Sequence, residues 1–437
     1  MGHSPRYAWF LLALLTLLNL VNFVDRQLVV SLQVPLKADP DLHLDDLKIA
    51  LLAGYAFAVV YSIAGLYFGA VADRWNRPRL IAAGLLVWSA MTAASGLAQS
   101  FWQLAAARVL VAIGEATLTP AAVAMLGDAF PPRQRSLASG LYYLGIPLGA
   151  GLSLIVAGVL EPIAGIGWRG CYQILGMVGL VLVAVVALLK DPPRGGLEAA
   201  AKGAPQPAAA HKSGMPPMTE QLGEIFRILS RSPALVMTML GAIAINIGVG
   251  TTWLDPSWLV KERGFDKSEA TLFLGVNLLV GGSLGNFLGG WLGDLFHRHF
   301  SGGRLLALVG LQLAIAPFGI AFRWLVPESI LFPLSCLIGY IYVTMMYGPV
   351  FATVQELTPL RTRSTMIAFL IIWLNLLGAS LGAVIAAQLT KSLGSYTWGI
   401  FLTAQLGLVA VPLFWLAARR YESDRKRWQR DAAEFLP

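Results

Sequence analysis

Charge is what this chain has least of. Only 13% of its 437 residues are Asp, Glu, Lys or Arg, against about a quarter in an ordinary soluble domain. With 57% hydrophobic residues and a mean hydropathy of +0.67, this excludes a soluble body carried on one anchor. Cysteine is nearly as scarce. Cys171 and Cys336 are the only two, both in apolar runs, so no disulfide framework or metal-ligand spacing exists. The five histidines form no convincing metal pattern. A glycine-rich phosphate loop ending in lysine is missing too, which argues against an ATP-driven pump. No cofactor and no metal is expected. A cleavable leader is not expected either, because the apolar run from Tyr7 to about Leu32 is too long and no cleavage site follows it.

What is present is a series of apolar runs. A membrane span needs about 20 apolar residues. Twelve such runs are read at 7–34, 48–72, 80–99, 102–129, 136–160, 168–189, 233–260, 268–295, 304–324, 328–356, 364–390 and 396–418. The expected fold is all-α, with twelve transmembrane helices. Small-residue pairs recur inside them, at Gly65/Gly69, Gly145/Gly149, Gly285/Gly289 and Gly378/Gly382, and predict close helix contacts. Gly281-Gly-Ser283-Leu-Gly285 and Gly378-Ala-Ser380-Leu-Gly382 match the nucleophile-elbow pattern, but that pattern needs a strand-turn-helix setting. Packing explains them better, and no enzyme is expected.

The formal charge of +8 is a matter of topology. Arg74, Arg77 and Arg79 follow span two, Arg133 and Arg135 follow span four, Arg298 and Arg304 follow span eight, and Arg361 and Arg363 follow span ten. The loop after span one is acidic instead, with Asp39, Asp41, Asp45 and Asp46. Basic loops on alternate sides place both termini in the cytoplasm. Nucleic-acid binding is not expected. A multi-pass protein of a bacterial inner membrane, present as a monomer, is.

The chain divides into an N-terminal six-helix half at 1–189, a linker at 190–232, a C-terminal six-helix half at 233–418 and a basic tail at 419–437. The linker opens Pro-, Ala- and Gly-rich and reads as flexible. It closes with Leu222, Ile225, Phe226 and Leu229 at helical spacing, which predicts an amphipathic interfacial helix over Met218–Ser230. The halves repeat. Asp128-Ala-Phe-Pro131-Pro-Arg133-Gln-Arg135 matches Glu356-Leu-Thr-Pro359-Leu-Arg361-Thr-Arg363 at an offset of 228. Gly69-Ala-Val-Ala-Asp73 matches Gly290-Trp-Leu-Gly-Asp294 at an offset of 221. Two same-sense halves make a parallel membrane repeat, with the substrate site expected near mid-bilayer between them.

Gly69-x-x-x-Asp73-Arg74-x-x-Arg77-x-Arg79 resembles the loop signature of the major facilitator superfamily, and the twelve runs and the central linker agree with it. Within that superfamily the chain resembles the spinster branch. The matching residues are Asn22-x-x-Asp25-Arg26, Gly54-Tyr55, Arg108 with Gly114-Glu115-Ala116, and Pro131-x-x-x-Arg135. The resemblance implies a carrier of lipids such as lysophospholipids or sphingosine-1-phosphate. It also makes Gly69, Asp73, Arg74, Asp128, Arg133, Arg135, Asp294, Glu356 and Arg361 candidates for the loop machinery of conformational change. Gly145-x-Pro147-x-Gly149 is similar to the glycine-proline motif of antiporters, shifted by one residue.

The runs also hold charge. Span one carries Asn22, Asp25 and Arg26, and span four carries Arg108 and Glu115. A charge at that depth costs at least ~2.5–3.5 kcal/mol, which makes each a site candidate. Asp25 lies ~7 Å past the middle of span one and Arg108 ~10 Å before the middle of span four. The two spans run in opposite senses, so these groups share a depth and can pair. Glu115, seven residues on from Arg108, shares its helix face nearer the midplane. Arg26 points about 100° away from Asp25 and need not share its partner.

Asp25 and Glu115 are the proton-carrying candidates, because a carboxylate moved between an arginine and an apolar setting takes up and returns a proton. Arg26 and Arg108 are candidates for holding an anionic headgroup. Asn22, Tyr347 and Asn375 complete the substrate-binding candidates. A static ion pair that locks helices is the competing reading of each charge. Asp255, flanked by Trp253 and Trp258, reads as part of an interface belt. The expected function is alternating-access transport, coupled to protons, of an amphipathic lipid-like substrate. A multidrug or organic-anion carrier is the alternative, with an uncoupled scramblase or a membrane enzyme behind it.

Overall fold

The computed structural model describes residues 5–44, 48, 52, 55–156, 166–195 and 218–434. Gly54, Asp45 and Asp46 lie outside these residues, as does the Pro/Ala/Gly-rich part of the linker at 196–217.

Among the described residues the chain is helical and carries no strand. Helix α1 is Pro5–Ser31, and its 27 residues make about 40 Å, ample for a hydrocarbon core of about 30 Å. Then come α2 (Tyr55–Ala72), α3 (Arg77–Ser95), α4 (Phe101–Ala129) and α5, which runs Arg135–Tyr143 and continues as Gly145–Ile155. Helix α6 is Gly167–Ala187, α7 Pro233–Arg263, α8 Lys267–His299 and α9 Gly303–Ala321. Helices α10 (Leu331–Glu356), α11 (Arg363–Leu393) and α12, from Tyr396–Gln405 through Ala410–Glu434, complete twelve. Eight of them are long and apolar enough to cross a membrane, and α2 and α9 add shorter apolar stretches. Helix α3 begins Arg77-Pro78-Arg79, and α5 is interrupted at Leu144.

Local chemistry sets the ends. The Asn76 side chain accepts from the Arg79 amide at 3.0 Å, with Pro78 in the first turn, so α3 starts there. Ser100 caps α4, and a reciprocal Asp266–Glu269 capping box starts α8. Gly394, at φ +65°, ends α11 in the left-handed conformation that glycine adopts at no steric cost.

Two helices break in matching places. Helix α4 is regular over Phe101–Glu115 and again from Leu118, and α10 over Leu331–Thr344 and again from Tyr347. The offsets, 344 − 115 and 347 − 118, are both 229, so the repeat extends to helix irregularities. Helix α11 carries a π-helical turn over Leu374–Ser380, which contains Asn375.

The linker ends in a helix at Met218–Arg231, with Ile225 and Ile228 buried and Phe226 59% exposed. The basic tail is a continuation of α12 to Glu434. It is tied back: the Asp424 carboxylate accepts from the Ala234 amide at 2.8 Å and caps the start of α7. Of the small-residue pairs, Gly285/Gly289 and Gly378/Gly382 do lie where a methyl group would strike a neighbouring helix, whereas Gly65 faces nothing within 4 Å.

The chain forms two compact units. The first is Met1–Ala129, Leu148–Met218 and Leu360–Phe369, and its core includes Leu28, Leu32, Leu104, Trp168 and Tyr172. The second is Phe130–Pro147, Thr219–Pro359 and Leu370–Pro437, and its core includes Trp258, Phe322, Phe332 and Tyr340. Each unit includes a segment from the opposite sequence half.

Candidate functional site

Four charges meet inside the first unit. Asp25 of α1 and Arg108 of α4 pair at 2.9 Å with both side chains 2% exposed. The Thr92 hydroxyl of α3 donates to the other Asp25 oxygen at 2.5 Å. One residue on, Arg26 donates to Glu115 at 3.1 Å through Nη2 and 3.4 Å through Nε. Arg26 does point away from Asp25, but its long side chain reaches the second carboxylate of the cluster. Its guanidinium lies over the rings of Tyr61 at 4.3 Å, Phe23 at 4.9 Å and Phe57 at 5.2 Å. Such contacts steady a cation that has left bulk water.

The cluster sums to zero charge yet leaves polar atoms unpaired. Arg108 Nε and Nη2, Glu115 Oε1 and Asn22 Nδ2 are buried with no hydrogen-bond partner among the described residues. Unmade bonds of this kind cost ~1–3 kcal/mol each, more for charged groups. Arg26 is the partly open member, at 21% side-chain exposure.

Two further clusters lie where the basic loops are, one in each unit, and they mirror each other. Asp73, just past α2, accepts from the amides of Ser364 and Thr365 at 2.8 and 2.9 Å and from the Thr365 hydroxyl at 2.6 Å. Asp294 of α8 accepts from the amides of Ser136 and Leu137 at 3.2 and 2.8 Å. Each aspartate therefore caps a helix of the opposite sequence half, α11 or α5, where exposed amides and the helix dipole favour an anion. Arg77 pairs with Asp128 at 2.6 Å, and Arg304 with Glu356 at 2.8 Å. Arg363 joins Asp128 at 3.2 Å, and Arg135 lies 3.8 Å from Glu356. Burial pushes the Asp73 carboxyl up to about 6, against the hydrogen bonds from Thr365 and Ser364.

The linker enters the first of these clusters. Asp191 accepts from the Arg77 amide at 3.0 Å and from its Nε at 2.7 Å. The Gly195 amide donates to Asp128 at 3.1 Å. Arg194 donates to the carbonyls of Ala72 at 2.9 Å, Trp75 at 2.7 Å and Asp73, closing the C-terminal end of α2.

Among the loop candidates, Gly69 packs on Ala368, Arg74 is partly exposed and Arg133 is exposed. The Arg361 side chain lies outside the described residues. Tyr347 and Asn375 fall in the second unit. Tyr347 stacks on Tyr143 with ring centroids 4.9 Å apart, and Asn375 is partly buried in the π-helical turn.

Sequence reasoning missed several groups. Arg77 and Arg304 were counted as basic loop residues, yet they are 2% and 1% exposed and central to the clusters. Arg363 carried the visible signal, since it matches Arg135 at the 228 offset. Arg194, Tyr143 and Arg323 had none. Arg323 pairs with Asp255 at 2.7 Å, so Asp255 is one half of a buried ion pair.

The comparisons with known proteins bear on the family and the fold. The model of the Major Facilitator Superfamily matches residues 15–378. An MFS-type efflux pump of Mycolicibacterium smegmatis is 32% identical over 430 residues, 97% of this chain and 95% of that protein. Protein spinster homolog 1 of Xenopus tropicalis is 25% identical over 468 residues, 100% of this chain and 85% of that protein. A bacterial homologue of the human lysosomal transporter Spinster, solved inward-facing and unoccupied, aligns with a TM-score of 0.62 at 26% identity, covering 97% of this chain and 99% of that one. The E. coli fucose:proton symporter aligns with a TM-score of 0.70 over 93% of this chain and 98% of that one, at 14% identity, a likeness of fold alone. With twelve helices, a repeated loop signature and a family match over most of its length, the chain belongs to the Major Facilitator Superfamily of membrane transporters.

Proposed function

We propose that the chain is a proton-coupled alternating-access carrier of an amphipathic, lipid-like substrate. The observation that carries this reading is the neutral four-charge cluster with its unpaired Glu115 and Arg108 atoms. An anionic headgroup that binds beside Arg26 adds one negative charge to a buried, balanced site. Protonation of Glu115 removes that surplus and frees Arg26 to hold the headgroup bidentately. An anion therefore moves with a proton. Asp25, held by Arg108 and Thr92, is the second proton-carrying candidate. Asn22 supports the headgroup, with Tyr347 and Asn375 as contacts for the remainder of the substrate.

The two halves, 1–189 and 233–418, are proposed to rock about this site in a bacterial inner membrane, with both termini cytoplasmic and the protein a monomer. The caps at Asp73 and Asp294, each tying a loop of one sequence half to a helix of the other, are proposed to break and re-form during the cycle. The resemblance of the span-one and span-four motifs to the spinster branch is what suggests a lysolipid, and relatives named spinster match along the chain. The relative named an efflux pump favours a second reading, export of lipophilic drugs. By the same charge balance, a cationic drug exchanges for a proton.

Proteoliposomes with an imposed pH gradient test both. A fluorescent lysophosphatidic acid should accumulate with the proton flow, and a lipophilic cation dye against it. Glu115→Gln should reduce the gradient response at least tenfold. Movement of either probe that ignores the gradient in the native protein would overturn the coupling and point to a scramblase.

A further inference from the structure

The second unit holds a partly open cavity of about 100 Å³ among α7, α9, α10 and α12, remote in sequence from the four-charge cluster. That is several times the ~30 Å³ share of one water, and approaches the ~150 Å³ void that admits benzene. Its polar lining centres on the Asp255–Arg323 pair, and Phe322, Val343, Phe401 and Leu408 supply apolar wall.

Two observations mark it as built to hold something. Gly248, Gly319 and Gly339 all line it, and a methyl group placed on any of them meets nothing within 4 Å. These glycines are not needed for helix contact, unlike Gly250 two residues on from Gly248, where a methyl would strike Ala379 and Ala383 of α11. They keep volume free. In addition, Arg323, 8% exposed, uses Nη2 for Asp255 and has no hydrogen-bond partner for Nη1 among the described residues. Its guanidinium is held over the rings of Trp258 at 4.5 Å and Phe322 at 5.0 Å, so its position is fixed.

We propose that this cavity is a second ligand site, for the hydroxyl or carbonyl end of an uncharged lipophilic molecule. The pair is already neutral, so a charged head would bring an uncompensated charge into an apolar bundle. An uncharged oxygen accepts from Arg323 Nη1 and completes the site, while the chain attached to it lies along the apolar wall. The site does not depend on the identity of the transported substrate.

The test is photolabelling of the purified full-length protein in nanodiscs with a 1-monoacylglycerol bearing a diazirine near its headgroup, mapped by mass spectrometry. Adducts are expected on peptides containing residues 248–255, 316–323 and 336–343. Gly319→Leu and Gly339→Leu fill the space without a clash at Cβ and should cut those adducts at least fivefold. Gly310→Leu, equally open but away from the cavity, should not. Arg323→Gln should weaken labelling, and an excess of unlabelled monoacylglycerol should compete. Undiminished adducts in both filled variants, or none in the native protein, would overturn the proposal. Preferential labelling by an alkyl phosphate probe would overturn the uncharged class.

Discussion

Asp25 and Arg26 stand side by side on α1 and serve different partners, which divides one stretch of helix between two tasks. Asp25 is fully engaged by Arg108 and Thr92, whereas Glu115 keeps one oxygen free and its partner Arg26 is partly open. The first pair is therefore the more closed of the two and the second the more open. Removing one member of a buried pair strands the other, at about 3–5 kcal/mol, while removing both often costs little. Arg108→Gln is expected to lower the thermal midpoint of the purified protein markedly, and Asp25→Asn/Arg108→Gln to recover most of the loss. A double variant no more stable than Arg108→Gln alone would show that the pair is not the unit of stability. The Asp25–Arg108 contact was legible in the sequence because depth along two oppositely directed spans is simple arithmetic. The Arg26–Glu115 contact was not, because an angle around the helix says little about where a long side chain ends.

At the scale of elements, the spans were legible from hydropathy and their edges from Asn, Ser, Pro and Gly. The breaks in α4 and α10 were not. They follow tertiary contacts, such as the close approach of Gly84 to the Gly114 carbonyl and Thr117, which leave no periodic trace. The linker is a similar case. Its composition reads as a tether, but Asp191 to Gly195 is a strap bound to both ends of the Asp73–Asp128 loop cluster. Arg194 satisfies three carbonyls that α2 would otherwise leave open. Charged hydrogen bonds of this kind contribute about 1.5–3 kcal/mol. Arg194→Ala should therefore speed amide hydrogen exchange at Gly195 and Arg77 by roughly ten- to a hundredfold, with exchange in α6 unchanged. Unaltered exchange at both amides would mean that the strap is held without Arg194, by Asp191 and by the Pro192 carbonyl, which accepts from Arg77 at 2.7 Å.

For the molecule as a whole, the repeat read at offsets of 221 and 228 identified equivalent loops, but not that each aspartate caps a helix of the other half. Contacts between residues 158 or 291 positions apart leave no local signal. The two caps also differ chemically. Asp294 has Arg304 on its carboxylate, while among the described residues the Asp73 carboxylate is held by amides and a hydroxyl, with Arg194 on its backbone carbonyl instead. Burial raises the Asp73 carboxyl to about 6 from an ordinary value of 3.8, against the Thr365 and Ser364 hydrogen bonds. A carboxyl raised in one state favours that state fully below its ordinary value and loses the advantage as pH rises through the raised value. The capped arrangement is thus expected to be most populated near pH 4 and to lose ground between about pH 4 and 6. The bound is on the order of a hundredfold, set by a shift of about two units. Distance measurements between spin labels at the exposed positions Arg79 and Arg298, one in each sequence half, taken across this range in nanodiscs, should show the shift. Asp73→Asn should flatten the pH response, because its side chain no longer titrates, whereas Thr365→Val should weaken the cap but keep the direction. A response that survives Asp73→Asn unchanged would move the pH sensitivity to another group. Whichever group carries it, such a pH response would give protons a second way to bias the proposed conformational cycle, separate from the charge balance proposed at Glu115.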